Sequence, residues 1–121
     1  MRSVIEYEIE VSDDDTVGVV FVTGLMGNFP NPFNPVTSIQ FSIGNVGNVK
    51  NVENVENVNI DVYNIRGQRV RSLVNEEFPV GEYSVVWDGR DEDGRNVGSG
   101  VYLYQMRAGE YTETRRMVLM K

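Results

Sequence analysis

The densest run of acids and potential ligands is "WDGRDEDGR", Trp87 to Arg95. Calcium loops place carboxylates at alternating positions ahead of a glycine and close on a bidentate Glu. Asp91, Asp93 and Gly94 fit part of that spacing, but the first ligand position falls on Gly89 and the closing one on Gly100. The pattern fails at both ends, so the run reads as a solvated turn between strands, and no metal or other cofactor is expected. Paired carboxylates also perform acid–base catalysis once a pocket raises one pKa. Here nearly all acids sit in turns or at alternating exposed strand positions, which argues against glycosidase-type chemistry. "NVGSGVY" is glycine-rich but lacks both the strand-then-helix setting and the lysine of a phosphate loop. The chain has no His and no Cys. That removes the commonest general base, His-based nucleophilic triads, thiolate metal sites and disulfides. No catalytic residue is expected, and the chain reads as non-enzymatic.

Two other groups of side chains are suited to binding. Tyr83, Trp87, Tyr102 and Tyr104 would make a sugar-stacking platform if exposed, but their shared register with inward-facing positions reads as core. Trp87 resembles the buried Trp of immunoglobulin-like sandwiches. Arg115, Arg116 and Lys121 make the last strand basic within a chain of net charge −7. One reading is edge protection by charged side chains. The other is a recognition tail captured by another protein. The acidic balance disfavours nucleic acid as a partner. No apolar run reaches the length of a membrane span, so no membrane insertion is expected. "MRSVIEYEIEV" interleaves glutamates with apolar residues and is unlike a secretory signal peptide, so export would require a longer precursor.

The elements that must position these residues are strands. A chain of 121 residues suits one domain, or one domain and a fragment of another. "VIEYEIEV" and "TVGVVFVT", joined by "SDDD", predict a β-hairpin within residues 1–23. It is either the tail of a preceding domain or a pair of extra strands. Residues 24–36, "GLMGNFPNPFNPV", read as a proline-rich spacer with little capacity for a ladder, extended at about 3 Å per residue. "TSIQFSI" puts Ile39, Phe41 and Ile43 on one face. An Asn-Val-x triplet then repeats five times from Asn45. Period three suits neither one strand face nor one helix face. The repeat reads as a loop expansion whose last triplets merge into the next strand, the alternative being a binding ladder. "VNIDVYNI" aligns Val58, Ile60 and Val62. "NEEFPVGE" reads as a turn, "EYSVVWDG" and "VYLYQMRA" as strands, and Gly109-Glu110 as a tight hairpin turn into "YTETRRMVLM". From Thr37 this makes about six short strands with no helix signature. The fold expected for residues 37–121 is all-β, an immunoglobulin-like antiparallel sandwich of about seven strands. The N-terminal hairpin or the "FVT" run would supply the seventh.

The ordered motifs "FPNPFNPVTSIQFSI", "VNIDVYNIRGQRVRSLV" and "PVGEYSVVWDGRDEDGRNVGSGVYLYQMRAGEYTETRRMVLMK" resemble the type A C-terminal sorting domain of type IX (Por) secretion cargo. They are also similar to the immunoglobulin-like domain of flagellar hook-capping proteins. Placement at the end of the chain favours the sorting domain. Family positions map onto Pro30, Asn31, Pro32, Phe33, Asn34 and Pro35, onto Tyr63, Gly67, Val70, Gly81, Trp87, Asp88 and Gly94, and onto Gly100, Tyr102, Gly109 and Lys121. The resemblance implies a non-catalytic signal that directs a covalently preceding cargo domain through the periplasm to the cell surface of a Bacteroidetes-like bacterium. The implied partners are the type IX translocon and a surface sorting peptidase, with processing near Thr23 to Asn28. Translocon recognition is expected on the final hairpin, at Gly100, Tyr102, Gly109, Arg115, Arg116 and Lys121. The alternatives are an accessory spacer or carbohydrate-binding sandwich of a secreted enzyme, which an exposed aromatic pair would favour, and a flagellar hook-assembly domain.

Overall fold

Alternation of apolar and polar residues decides which face of each strand is buried, and it does so along most of this chain. The computed structural model describes residues 6–10, 17–44 and 55–121. They form nine strands and no helix: β1 (Glu6–Glu10), β2 (Val17–Phe21), β3 (Gly24–Phe29), β4 (Thr37–Ile43), β5 (Val55–Tyr63), β6 (Arg69–Pro79), β7 (Gly81–Trp87), β8 (Gly100–Ala108) and β9 (Tyr111–Leu119). β1 and β2 pair with each other, from Glu6↔Phe21 to Glu10↔Val17. The remaining seven make two antiparallel sheets, ordered β3-β4-β7 and β6-β5-β8-β9. This is the seven-stranded immunoglobulin-like sandwich that the strand spacing predicts.

The inner faces carry the expected residues. Ile39, Phe41 and Ile43 of β4 meet Val58, Ile60 and Val62 of β5 and Tyr102, Tyr104 and Met106 of β8 in one core. Burying each aliphatic or Phe side chain of this kind contributes roughly 1.5–3 kcal/mol. At one end Phe41, Phe78 and Tyr83 pack ring to ring, with centroids 4.6–5.6 Å apart. At the other, Trp87 lies between Phe33 and Tyr102, at 5.7 and 5.3 Å. Trp87 is wholly buried, and its indole N–H donates to the Arg90 carbonyl at 2.9 Å. Trp87, Tyr102 and Tyr104 are therefore core, and they offer no sugar-stacking platform.

The triplet repeat does merge into a strand. β5 begins at Val55, and the three-residue step turns successive valines to opposite faces: Val55 is 47% exposed and Val58 is 0% exposed. The earlier triplets, residues 45–54, lie outside the described residues.

Three expectations change. The seventh strand is Gly24–Phe29, inside the segment read as spacer. It pairs with β4 from Gly24↔Ser42 to Phe29↔Ser38. The prolines begin only at Pro30, so residues 24–29 keep every backbone N–H for a ladder. A register shift between Leu25 and Gly27 hides the alternation, and five consecutive residues are buried. Second, "NEEFPVGE" is not a broad turn. β6 runs through to Pro79, and Val80 alone separates it from β7 in the other sheet. β6 is a sheet edge, where the missing N–H of Pro79 is tolerated. Third, the segment Pro30–Pro35 does not run clear of the sandwich. Phe33 is 2% exposed and bridges to Leu119 in parallel. The segment is a hook folded against the last strand.

Candidate recognition edge

β9 is the outer strand of the four-stranded sheet. Ala108 and Tyr111 flank the turn at Gly109-Glu110 and pair directly. A tight hairpin makes that flanking pair exchange its hydrogen bonds. Stepping by twos, Tyr111, Glu113, Arg115, Met117 and Leu119 turn their backbone groups toward β8. Thr112, Thr114, Arg116, Val118 and Met120 turn theirs outward. The hook takes the last of these. The Val118 N–H donates to Asn31 Oδ1 at 3.0 Å. The Phe33 N–H donates to the Val118 carbonyl at 2.9 Å, and the Met120 N–H donates to the Phe33 carbonyl at 2.9 Å. Phe33 thus acts as a short added strand. Gly89, from the "WDG" motif, lies against this hook: a Cβ there would meet the Pro35 carbonyl oxygen at 3.0 Å.

A polar seam joins β9 to β3. The Glu113 carboxylate accepts the Leu25 N–H at 3.3 Å, the Tyr111 hydroxyl, and the Arg115 Nε at 2.9 Å. Asn28, 4% exposed, is the second node. Its Oδ1 accepts the Tyr104 hydroxyl at 3.2 Å. Its Nδ2 donates to Thr37 Oγ1 at 3.1 Å, and Thr37 Oγ1 donates to the Pro30 carbonyl at 2.8 Å. Burial pushes the Tyr104 hydroxyl up to about 12, with Arg115 opposing and Glu113 adding to the rise. Burial, the hydrogen bond to Glu113 and that carboxylate's charge push Tyr111 up to about 12 as well. Both phenols stay neutral donors across the physiological range.

Beside the seam runs an open groove of about 470 Å³ lined by Asn28, Phe29, Asn31, Tyr104, Arg115 and Arg116. No carboxylate lines it, although Glu113 pairs with Arg115 next to it. Phe29 is 45% exposed at its rim.

A family model described as the FlgD Ig-like domain matches residues 37–112, more than half of the chain. The chain belongs to this family. Among solved structures, this FlgD Ig-like domain is similar to dimeric latent PorU from Porphyromonas gingivalis. The TM-score is 0.62 at 19% identity, over 82% of this chain and 9% of that one. It is also similar to PorZ, described as an essential surface component of the type-IX secretion system of the same bacterium. There the TM-score is 0.52 at 17% identity, over 81% of this chain and 12% of that one. At these identities the likeness is one of fold, and the chain spans about a tenth of either protein. No curated protein matches the chain in sequence. The family match begins at β4, so β3 and the hook lie before it.

Within the domain, the residues singled out from sequence fall into three groups. Pro30, Asn31, Pro32, Phe33, Asn34 and Pro35 form the hook, and Trp87 lies beneath it. Asp88, Gly94 and Gly67 belong to tight loops: Asp88 Oδ1 accepts the Arg90 N–H at 3.2 Å and pairs with Arg71 at 3.3 Å. The proposed recognition residues do not form one patch. Tyr102 is 8% exposed, and its hydroxyl donates to the Gly98 carbonyl at 2.7 Å, so it packs in the core. Arg115 and Arg116 are neighbours on a pleated strand and leave it on opposite faces. Both still reach the groove. Gly100 begins β8, Gly109 lies in the turn, and the Lys121 N–H donates to Ser99 Oγ at 3.0 Å. Asp91 does not act as an open ligand, because its Oδ1 already accepts the N–H groups of Asp93 and Arg95. Among the described residues no three acidic side chains converge as a metal site would need. Asn28, Thr37 and Glu113 are the polar nodes of the seam that the sequence reading does not single out. Each is one polar residue in a strand, and no local signal marks it as a node.

Proposed function

We propose that this domain is a non-catalytic sorting signal that directs a preceding cargo through a type IX translocon to the cell surface. The observation that carries the reading is the sandwich shared over four-fifths of the chain with PorZ, a surface component of that system. The order of the proline, "WDG" and final-hairpin motifs supports it too. The partners in this reading are the translocon, acting on the β9 side, and a surface sorting peptidase. Processing falls before Gly24, because Gly24 to Asn28 form a buried strand, and a cut there would strip a strand from the core. Burial of Trp87, Tyr102 and Tyr104 speaks against the carbohydrate-binding alternative. Membership of the FlgD Ig-like family favours one second reading, a flagellar hook-assembly domain.

The test is a periplasmic reporter fused ahead of Thr23–Lys121 in a type IX-competent host. Starting at Asn28 would truncate β3. Export to the surface is the expected result. A fusion that resists protease, and so is folded, yet stays in the periplasm overturns the sorting role and leaves hook assembly as the reading to test. Deleting Met117–Lys121 is a poor probe of the tail, since Met117 and Leu119 are 0% and 1% exposed. Charge reversal at Arg116 and Lys121 leaves the core intact.

A further inference from the structure

The two edges of the four-stranded sheet are treated differently. Along β6, the Glu92 N–H donates to the Val70 carbonyl at 3.0 Å, and the Ser72 N–H donates to Glu92 Oε1 at 2.8 Å. A loop therefore covers its first half. Glu76, Glu77 and Pro79 occupy the second half, and charge and proline discourage pairing. Along β9, Val118 and Met120 are taken by the hook. Thr112, Thr114 and Arg116 present outward backbone donors and acceptors that no backbone partner takes among the described residues. The stretch has neither proline nor bulge. The Phe33 bridge shows added backbone already pairing with the Val118–Met120 end of this edge.

From this we infer that the β9 edge from Thr112 to Arg116 seats one extended, acidic segment of a partner protein. Backbone pairing supplies the register, as in other strand-addition sites. Charge selects the occupant: Arg115 and Arg116 line the adjoining groove, no acid does, and Arg116 is in no ion pair among the described residues. Carboxylates at alternate positions of an incoming strand fall on the groove side, and the apolar rim at Phe29 takes a side chain beside them. The hook sets where the guest strand must stop, because Phe33 already fills the next place. The inference names what reads the edge in a sorting role, and it rests on that reading only for where the partner is found.

The test is nuclear magnetic resonance on the full chain, titrated with a short capped peptide alternating glutamate and valine. Its counterpart with lysine for glutamate is the control. The amides of Thr112, Thr114 and Arg116 should shift and exchange about tenfold or more slowly. Those of Val118 and Met120 should not respond. Thr114→Pro removes an outward N–H without touching the β8 ladder and should abolish binding. Arg116→Glu, at an exposed position, should weaken it about tenfold. The inference fails if the lysine peptide binds equally well or if both variants bind like the parent. It fails also if those amides ignore the glutamate peptide, or are already shielded in a dimer of the chain before peptide is added. Because binding is read in vitro and export in a host, the two proposals fail separately.

Discussion

The loops Asn64–Gln68 and Asp91–Arg95 are built alike, and the proline hook is built differently from both. In each loop the first side-chain oxygen accepts two N–H groups, two and four residues on, at 2.9–3.0 Å. In each, the first and fifth residues pair through the backbone, and the fourth is a glycine at φ +84°. Every one of these bonds closes within five residues. The hook instead reaches β9 through Asn31 and Val118, 87 positions apart. Local hydrogen bonds make a loop that forms wherever its sequence occurs. The hook's bonds exist only where β9 lies beside it, so its stability belongs to the whole sandwich.

That contrast sets the expected size of each perturbation. Phe33→Ala should cost about 3–5 kcal/mol, as for other buried aromatics. Denaturant unfolding should report the loss, and the Val118 and Met120 amides should lose exchange protection together. If they stay protected, the hook is held by its polar contacts alone. Asn28→Ala should cost about 1–3 kcal/mol, because it leaves the buried Tyr104 hydroxyl without its acceptor and removes a donor to Thr37 Oγ1. Asp91→Ala should cost about 1 kcal/mol, with faster exchange confined to Asp93 and Arg95. A response at Val118 would show that loop and hook are coupled.

The smallest expected effect lies in the alkaline range. Tyr104 and Tyr111 hold their protons more tightly folded, at about 12, than at the ordinary value of 10.0. Between those values the folded state binds more protons than the unfolded one, so stability falls as pH rises. Their contribution is intact below pH 10 and disappears as pH passes about 12. Glu113→Gln removes a charge and a carboxylate acceptor. It should lower Tyr111 part of the way toward 10.0, burial still holding it raised, and lower Tyr104 less, because Glu113 is the last of the causes there. Tyrosinate absorbance follows both. Equal movement of the two would mean that the seam titrates as one unit.

Much of the fold and part of the edge were legible in the residues. The faces of β4, β5, β7 and β8, the burial of Trp87, the loop glycines and the final hairpin all follow from period-two alternation and turn chemistry. Those are properties of neighbours in sequence. β3 escaped because its register shift breaks the alternation, and the long run of β6 because Pro79 imitates a turn. The recognition candidates on the final hairpin divide: Tyr102 turns into the core, and Arg115 and Arg116 leave β9 on opposite faces.

By itself the sequence determined an all-β chain without histidine or cysteine, because composition and short-range pattern suffice for that. Only the tertiary structure decided that the prolines fold back, that Glu113 ties β9 and Asn28 ties β8 to β3, and that Thr112 to Arg116 stay open. Whether a backbone N–H is satisfied depends on which strand arrives beside it. That partner stands scores of residues away and leaves no mark on the local pattern.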